Sequence, residues 1–173
     1  MATPLTTGID WGTRIDSSPI TYYFAASGDE LPDEVPPTAW TAYEIQQFGL
    51  AFAVFETFLA VAFVAVASQD DNPDLILVRG DDASMEDLLG FFSPPGEPDA
   101  GIGAFNADGL GWAWNAPGSG ALEQGGYGFV TIIHELGHGL GLAHPHDDGG
   151  TSTVFPGVAS PFNDYGQHQL NQG

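Results

Sequence analysis

With 173 residues the chain is long enough for one domain with a real core, and without cysteine it has neither a disulfide framework nor a thiolate metal site. Only 14% of the residues are charged, and Arg14 and Arg79 are the only bases against 23 Asp and Glu, a formal net charge of -21. That balance argues against nucleic acid and anionic membrane as partners, which require a cationic face, and suits calcium, high salt or a basic substrate; acid used simply for solubility explains it equally well.

The N-terminal stretch MATPLTTGIDWGTRID has no basic n-region and no apolar h-region, so no conventional signal peptide is expected. Residues 1–17 read as an extension or a propeptide. Ser18–Ala25 predicts a first strand, followed by an acidic, proline-rich loop over Gly28–Pro37. Thr41-Ala42-Tyr43-Glu44 is a capping box, with Trp40 and Ile45 spaced as a hydrophobic staple. From there Ile45, Phe48, Phe52, Phe55 and Leu59 recur at the helical period. Phe48–Ala67 carries a single charge, Glu56, and is long enough to suggest a membrane span. The pattern changes after Ala60, however, to the β-branched run VAFVAVA, so a helix followed by a buried strand fits better. No basic residue flanks either end, which also speaks against a span.

Asp74–Arg79 predicts a third strand, and Ser84–Asp99 a short helical turn running into a Pro/Gly loop. Arg79-Gly80-Asp81 spells an integrin-type tripeptide, but at a strand end it reads as a plain turn. Gly101–Asn106 and Leu110–Asn115 predict short strands around a glycine turn, and a helix is expected from about Tyr127. Strands alternating with helices in this order predict an α/β fold, a mainly parallel sheet with helices packed on it.

Residues 130–146 read VTIIHELGHGLGLAHPH. At 100° per residue Phe129, Ile132, Ile133, Leu136 and Leu140 fall on one arc, and Thr131, His134, Glu135 and His138 on the other. Two imidazoles at i and i+4 suit one zinc ion. A continuing helix would carry His144 about 15 Å away from His134. The chain must therefore turn back. Gly141 tolerates the left-handed conformation that ends helices, and Pro145 prevents helix from resuming. Gly137 and Gly139 each cost about 1 kcal/mol of helix propensity and read as sites of close backbone approach. Three neutral histidines leave a fourth zinc position open for water, beside which Glu135 can act as general base. His146 and His168 read as solvent-exposed loop residues.

The string H-E-x-x-H-x-x-G-x-x-H is the metzincin signature, and with Pro145 after the third histidine it resembles the serralysins. The order of strands and helices over residues 15–173 is similar to that family's N-terminal catalytic subdomain. The resemblance implies a zincin-like sheet with an antiparallel edge strand, one catalytic Zn²⁺ held by His134, His138 and His144, and Glu135 as catalytic base. It implies an endopeptidase acting on extracellular proteins, itself secreted by a type I route without an N-terminal signal. In the family the strand before the last lies antiparallel at the sheet edge and pairs with the extended substrate. The matching segment by this reading is Gly101, Ile102, Gly103, Ala104, Phe105 and Asn106.

Two departures stand out. The only methionines are Met1 and Met85, so the family's Met-turn after the third histidine has no counterpart, and the calcium-binding Gly-Asp repeats are missing. Tyr165 lies upstream of any Met-turn position and is not read as a ligand. The chain thus reads as a catalytic upper subdomain, with the lower part of the enzyme as its natural partner. Alone it is expected to bind zinc weakly and to turn over little. Calcium can be accepted by Asp70-Asp71-Asn72-Pro73-Asp74 and Asp147-Asp148, and salt or divalent cations are expected to stabilise so acidic a fold. The alternatives are another zinc hydrolase with the same ligands, and a non-catalytic secreted protein in which zinc is structural. Glu135 favours catalysis, since a structural site has no need of a carboxylate beside an open position.

Overall fold

The computed structural model describes residues 5–32, 35–112, 116–158 and 160. It is an α/β fold with strands β1 (Ile20–Phe24), β2 (Phe63–Ala65), β3 (Leu75–Gly80), β4 (Gly90–Phe92) and β5 (Ile102–Asn106). Helix α1 (Ala42–Glu56) follows β1, the short α2 (Asp82–Met85) follows β3, and α3 (Tyr127–Gly139) follows β5. The strands form one sheet in the order β2-β1-β3-β5-β4, parallel throughout except for β4, which runs antiparallel to β5 at the edge.

Helix α1 starts where its capping box predicts. Thr41 is extended, its hydroxyl accepts from the Glu44 N–H at 3.2 Å, and Glu44 Oε2 accepts from the Thr41 N–H at 2.8 Å. The stripe Phe48, Ala51, Phe52 and Phe55 is buried against the sheet. Ile45 and Leu59, expected on that stripe, are each 40% exposed. Trp40 packs instead on Phe48, with ring centroids 5.1 Å apart, so the staple closes one turn later than the spacing suggests. Glu44 also serves the tertiary structure. Its buried carboxylate accepts from Arg79 Nε at 3.0 and 3.1 Å and from Trp112 Nε1 at 2.9 Å. Burial works to raise its pKa, but the bonds from Thr41, Trp112 and Arg79, with the Arg79 charge, hold it below the usual carboxylate range. One carboxylate thereby ties α1 to β3 and to the segment that leads into α3.

Helices α1 and α3 cover one face of the sheet over a core that includes Phe48, Phe105, Trp112, Ile132 and Leu136. A smaller cluster around Tyr23, Val78, Met85 and Ala104 fills the other face. Among the described residues no helix is long and apolar enough to cross a membrane.

Three expectations need correction. The run after Ala60 is an edge strand rather than a buried one, and its Val64 is 45% exposed. Leu110–Trp112 forms turns, not a strand, while residues 113–115 lie outside the described residues. The segment Gly101–Asn106 is not the edge strand. Ile102–Asn106 is β5, paired with β3 on one side and β4 on the other, and wholly buried. With both of its edges already hydrogen-bonded it has none free for a peptide. Among the described residues the antiparallel edge strand is Gly90–Phe92, within the stretch Ser84–Asp99 expected to be a short helical turn running into a Pro/Gly loop. Among the described residues β4 is the strand before the last.

Candidate metal centre

The site rests on the packing of α3, which lies against α1, β4 and β5. The Phe92 ring is held between two backbones. A Cβ on Gly103 would come within 2.2 Å of it, and one on Gly139 within 2.7 Å. That is the close approach expected at Gly139, and it seats the last turn of the helix directly on the edge strand. One turn earlier, a Cβ on Gly90 would lie 2.8 Å from Glu135 Cγ, so β4 also sets the position of that carboxylate.

The helix ends as the glycine predicts. Gly141 has a φ of +102°, the Gly141 N–H donates to the His138 carbonyl, and the Leu142 N–H donates to the Gly137 carbonyl, each at 2.9 Å. This is a Schellman closure, and it reverses the chain so that His144 returns to the helix. The turn is clamped from an unexpected side. Residues near the N-terminus run beside it, with an Asp10–Leu142 bridge, the Trp11 N–H donating to the Gly141 carbonyl at 2.9 Å, and the Ala143 N–H to the Ile9 carbonyl at 3.0 Å. Nothing in the spacing of these residues signals the contact.

The three predicted ligands meet. His134 Nε2 is 3.0 Å from His144 Nε2, and His138 Nε2 is 3.1 Å from each of the other two. Their tautomers follow from their outer partners. His138 Nδ1 lies 2.8 Å from the Leu142 carbonyl, which only accepts, so that nitrogen carries the hydrogen. His144 Nδ1 lies 2.8 Å from Asp147 Oδ2 and likewise donates. In the neutral rings both Nε2 atoms are then bare lone pairs, so the His138–His144 contact has no hydrogen, and His134 Nε2 has at most one to share between its two close contacts. Hydrogen bonding cannot satisfy this triangle, whereas one cation can. Ligands of a tetrahedral ion at about 2.0–2.1 Å lie about 3.3–3.4 Å apart, close to the separations seen. Burial, then the charges of His138 and His144, push the His134 pKa down to about 4, and burial first of all also lowers that of His138. Neutral imidazoles are what a metal requires.

Glu135, 7% exposed, lines a cleft of about 320 Å³ with His138 and His144. Burial raises its pKa to about 7, the range of a general base working near neutral pH. The cleft is bounded by Gly90, Phe91 and Phe92 of β4. The Asn106 N–H donates to the Leu89 carbonyl and the Ser93 N–H to the Ile102 carbonyl. Alternation along an antiparallel pair then turns the backbone groups of Gly90 and Phe92 away from β5, toward the open edge.

Asp147, expected only as a calcium acceptor, is instead the outer partner of His144. Its Oδ2 accepts from both Nδ1 and the His144 backbone N–H, the latter at 3.2 Å. A carboxylate three residues after the third histidine is the signal that could have found it. His146 is half-buried rather than exposed, stacked on His144 with centroids 4.9 Å apart and its Nε2 3.4 Å from Asp147 Oδ1. His168 and Tyr165 lie outside the described residues. In the other acidic loop, Asp74 Oδ2 is engaged by the Thr21 N–H and hydroxyl at 2.7 Å. Removing the outer carboxylate by Asp147→Ala is expected to weaken the affinity of the triangle for a divalent metal by about 10–100-fold without unfolding the chain. Competition titration against a chromogenic chelator measures this, and unchanged affinity would mean that Asp147 does not orient His144.

No family model matches the chain. Over 48 residues it is 48% identical to a protein named serralysin from Proteus mirabilis. The alignment covers 25% of this chain and 10% of that protein. Such a likeness points to a metzincin-like protease, and the histidine triangle is compatible with it.

Proposed function

We propose that the chain is the catalytic subdomain of a zinc-dependent metalloendopeptidase of the serralysin type. The observation that carries this reading is the convergence of three Nε2 atoms, with the tautomers of two of them set from outside, beside a buried carboxylate and an open strand edge. His134, His138 and His144 hold the ion. Zinc supplies a Lewis acid that makes water nucleophilic near neutral pH and polarises a peptide carbonyl. Glu135 takes the proton that the water gives up and passes it to the departing amine. The free edge of β4 binds the substrate as an added strand through the backbone of Gly90 and Phe92, in place of the segment expected from sequence. Asp147 and the Leu142 carbonyl keep the histidine rings aimed. Proteins outside the cell as substrates, secretion and a calcium requirement belong to the same proposal, and rest on the likeness to serralysin and the acidic composition.

A purely structural zinc site would leave Glu135 as a buried carboxyl without an ion pair, facing the cleft to no purpose. The test is hydrolysis of a quenched-fluorescent peptide by the polypeptide as its gene encodes it. Activity is expected to disappear on chelation and to return with stoichiometric zinc. Hydrolysis at full rate after the metal is stripped would sink the proposal, and zinc-loaded protein with no hydrolysis would favour a structural ion.

A further inference from the structure

The N-terminal strap enters the site as more than a clamp. Trp11 lines the same cleft as Glu135, His138 and His144, and the apolar lining of that cleft includes Phe92 and Pro94. The indole is firmly placed. Its ring lies on Gly149, where a Cβ would come within 2.3 Å of Trp11 Cη2, and on Gly150, where a Cβ would come within 3.0 Å of Nε1. Its backbone is fixed at both polar groups. The N–H donates to the Gly141 carbonyl at 2.9 Å, and the carbonyl accepts from the Thr151 N–H at 2.8 Å. Further along the strap the Thr153 N–H donates to the Thr7 carbonyl at 3.0 Å, so the segment is stitched to the loop after the third histidine over several residues. A large aromatic ring, half-buried and held rigidly at the rim of a cleft, offers apolar contact at little entropic cost.

We infer that Trp11 is a specificity-determining residue. Together with Pro94 it forms a subsite for an aromatic or branched apolar side chain of the peptide, next to the bond that is cut. The inference rests on the peptidase reading and on the continuity of the edge strand with the cleft. A peptide paired with the outward backbone groups of Gly90 and Phe92 sends every second side chain to one face. The face beside the metal ligands is the one closed by Trp11. Glu135, His138, His144 and Asp147 line the same cleft beside this apolar surface, so its lining divides into polar groups and apolar contact. That division orients a peptide with its carbonyl at the metal and an apolar side chain against the indole.

The experiment uses a series of quenched-fluorescent decapeptides in which one phenylalanine or one glycine is walked through successive positions of an otherwise fixed sequence. At one position next to the cleavage point, wild-type protein is expected to prefer Phe over Gly by about tenfold or more in kcat/KM, the scale of a filled apolar pocket. In Trp11→Ala that ratio is expected to fall to within about threefold of unity with zinc content retained, and Trp11→Phe to recover most of it. The same peptide pair is titrated calorimetrically into zinc-loaded Glu135→Gln with and without Trp11→Ala. That arm reads the subsite without turnover. Hydrolysis with a Phe/Gly ratio untouched by Trp11→Ala overturns the subsite and leaves the peptidase. A Trp11-dependent Phe preference in binding with no hydrolysis by wild-type protein sustains the subsite and removes the peptidase. Loss of zinc with an equal fall for both peptides, not relieved by Trp11→Phe, makes Trp11 a structural clamp and overturns the inference.

Discussion

Replacing His138 by alanine is expected to abolish stoichiometric zinc binding and, with it, all peptide hydrolysis. The ring has two duties. Its Nε2 stands 3.1 Å from both of the other ligand nitrogens, and its Nδ1 donates to the Leu142 carbonyl at 2.8 Å, within the turn that brings His144 back. Alanine removes one of three nitrogens and also a bond that fixes the reversal. The loss in affinity should exceed the roughly 10–100-fold typical of removing an outer partner alone. His134→Ala and His144→Ala are expected to lose the ion as well, because the two remaining imidazoles cannot surround it. His146→Ala should retain it, since that ring stacks on His144 without facing the triangle. Metal content of the purified variants, measured by mass spectrometry and by competition titration, decides the matter. Stoichiometric zinc in His144→Ala would remove the third ligand from the site.

Glu135→Gln should leave zinc in place while lowering peptide hydrolysis by at least about a hundredfold, the low end for loss of a general base. Glutamine keeps the shape of the side chain beneath β4, where a Cβ on Gly90 would lie 2.8 Å from Cγ, so packing is little disturbed. What disappears is the capacity to take a proton. In the wild type the carboxylate is the active form, and burial holds the carboxyl pKa at about 7. Activity that depends on this base is therefore lost as pH falls through that region, and a bound cation, favouring the carboxylate, moves the loss to lower pH. The glutamine variant should show no such acid limb. Undiminished hydrolysis with zinc bound would place the base elsewhere.

The extent to which the chain's sequence foretells this molecule varies from element to element. The histidine triangle was legible because its geometry is local. His134 and His138 share a helix face by the 3.6-residue period, and the reversal to His144 needs only a residue that tolerates positive φ, which Gly141 provides. The cap of α1 was legible for the same reason, since Thr41 and Glu44 satisfy each other across one turn. The alternation of strands and helices was enough to predict a mainly parallel sheet. Edge and centre were not legible. β4 and β5 are both short and glycine-containing, and what makes Gly90–Phe92 the open edge is the pairing of Ile102–Asn106 with Leu75–Gly80, a contact between distant segments. The same holds for Glu44, whose capping role is visible in sequence while its bonds to Arg79 and Trp112 exist only once the sheet and α3 are assembled. Trp11 is the clearest case. No periodicity or spacing ties it to residues 141–151, and it reaches the cleft because backbone groups far apart in the chain pair there. Local patterns specify ligands and caps; which surfaces remain open, and what walls them, follows from long-range pairing.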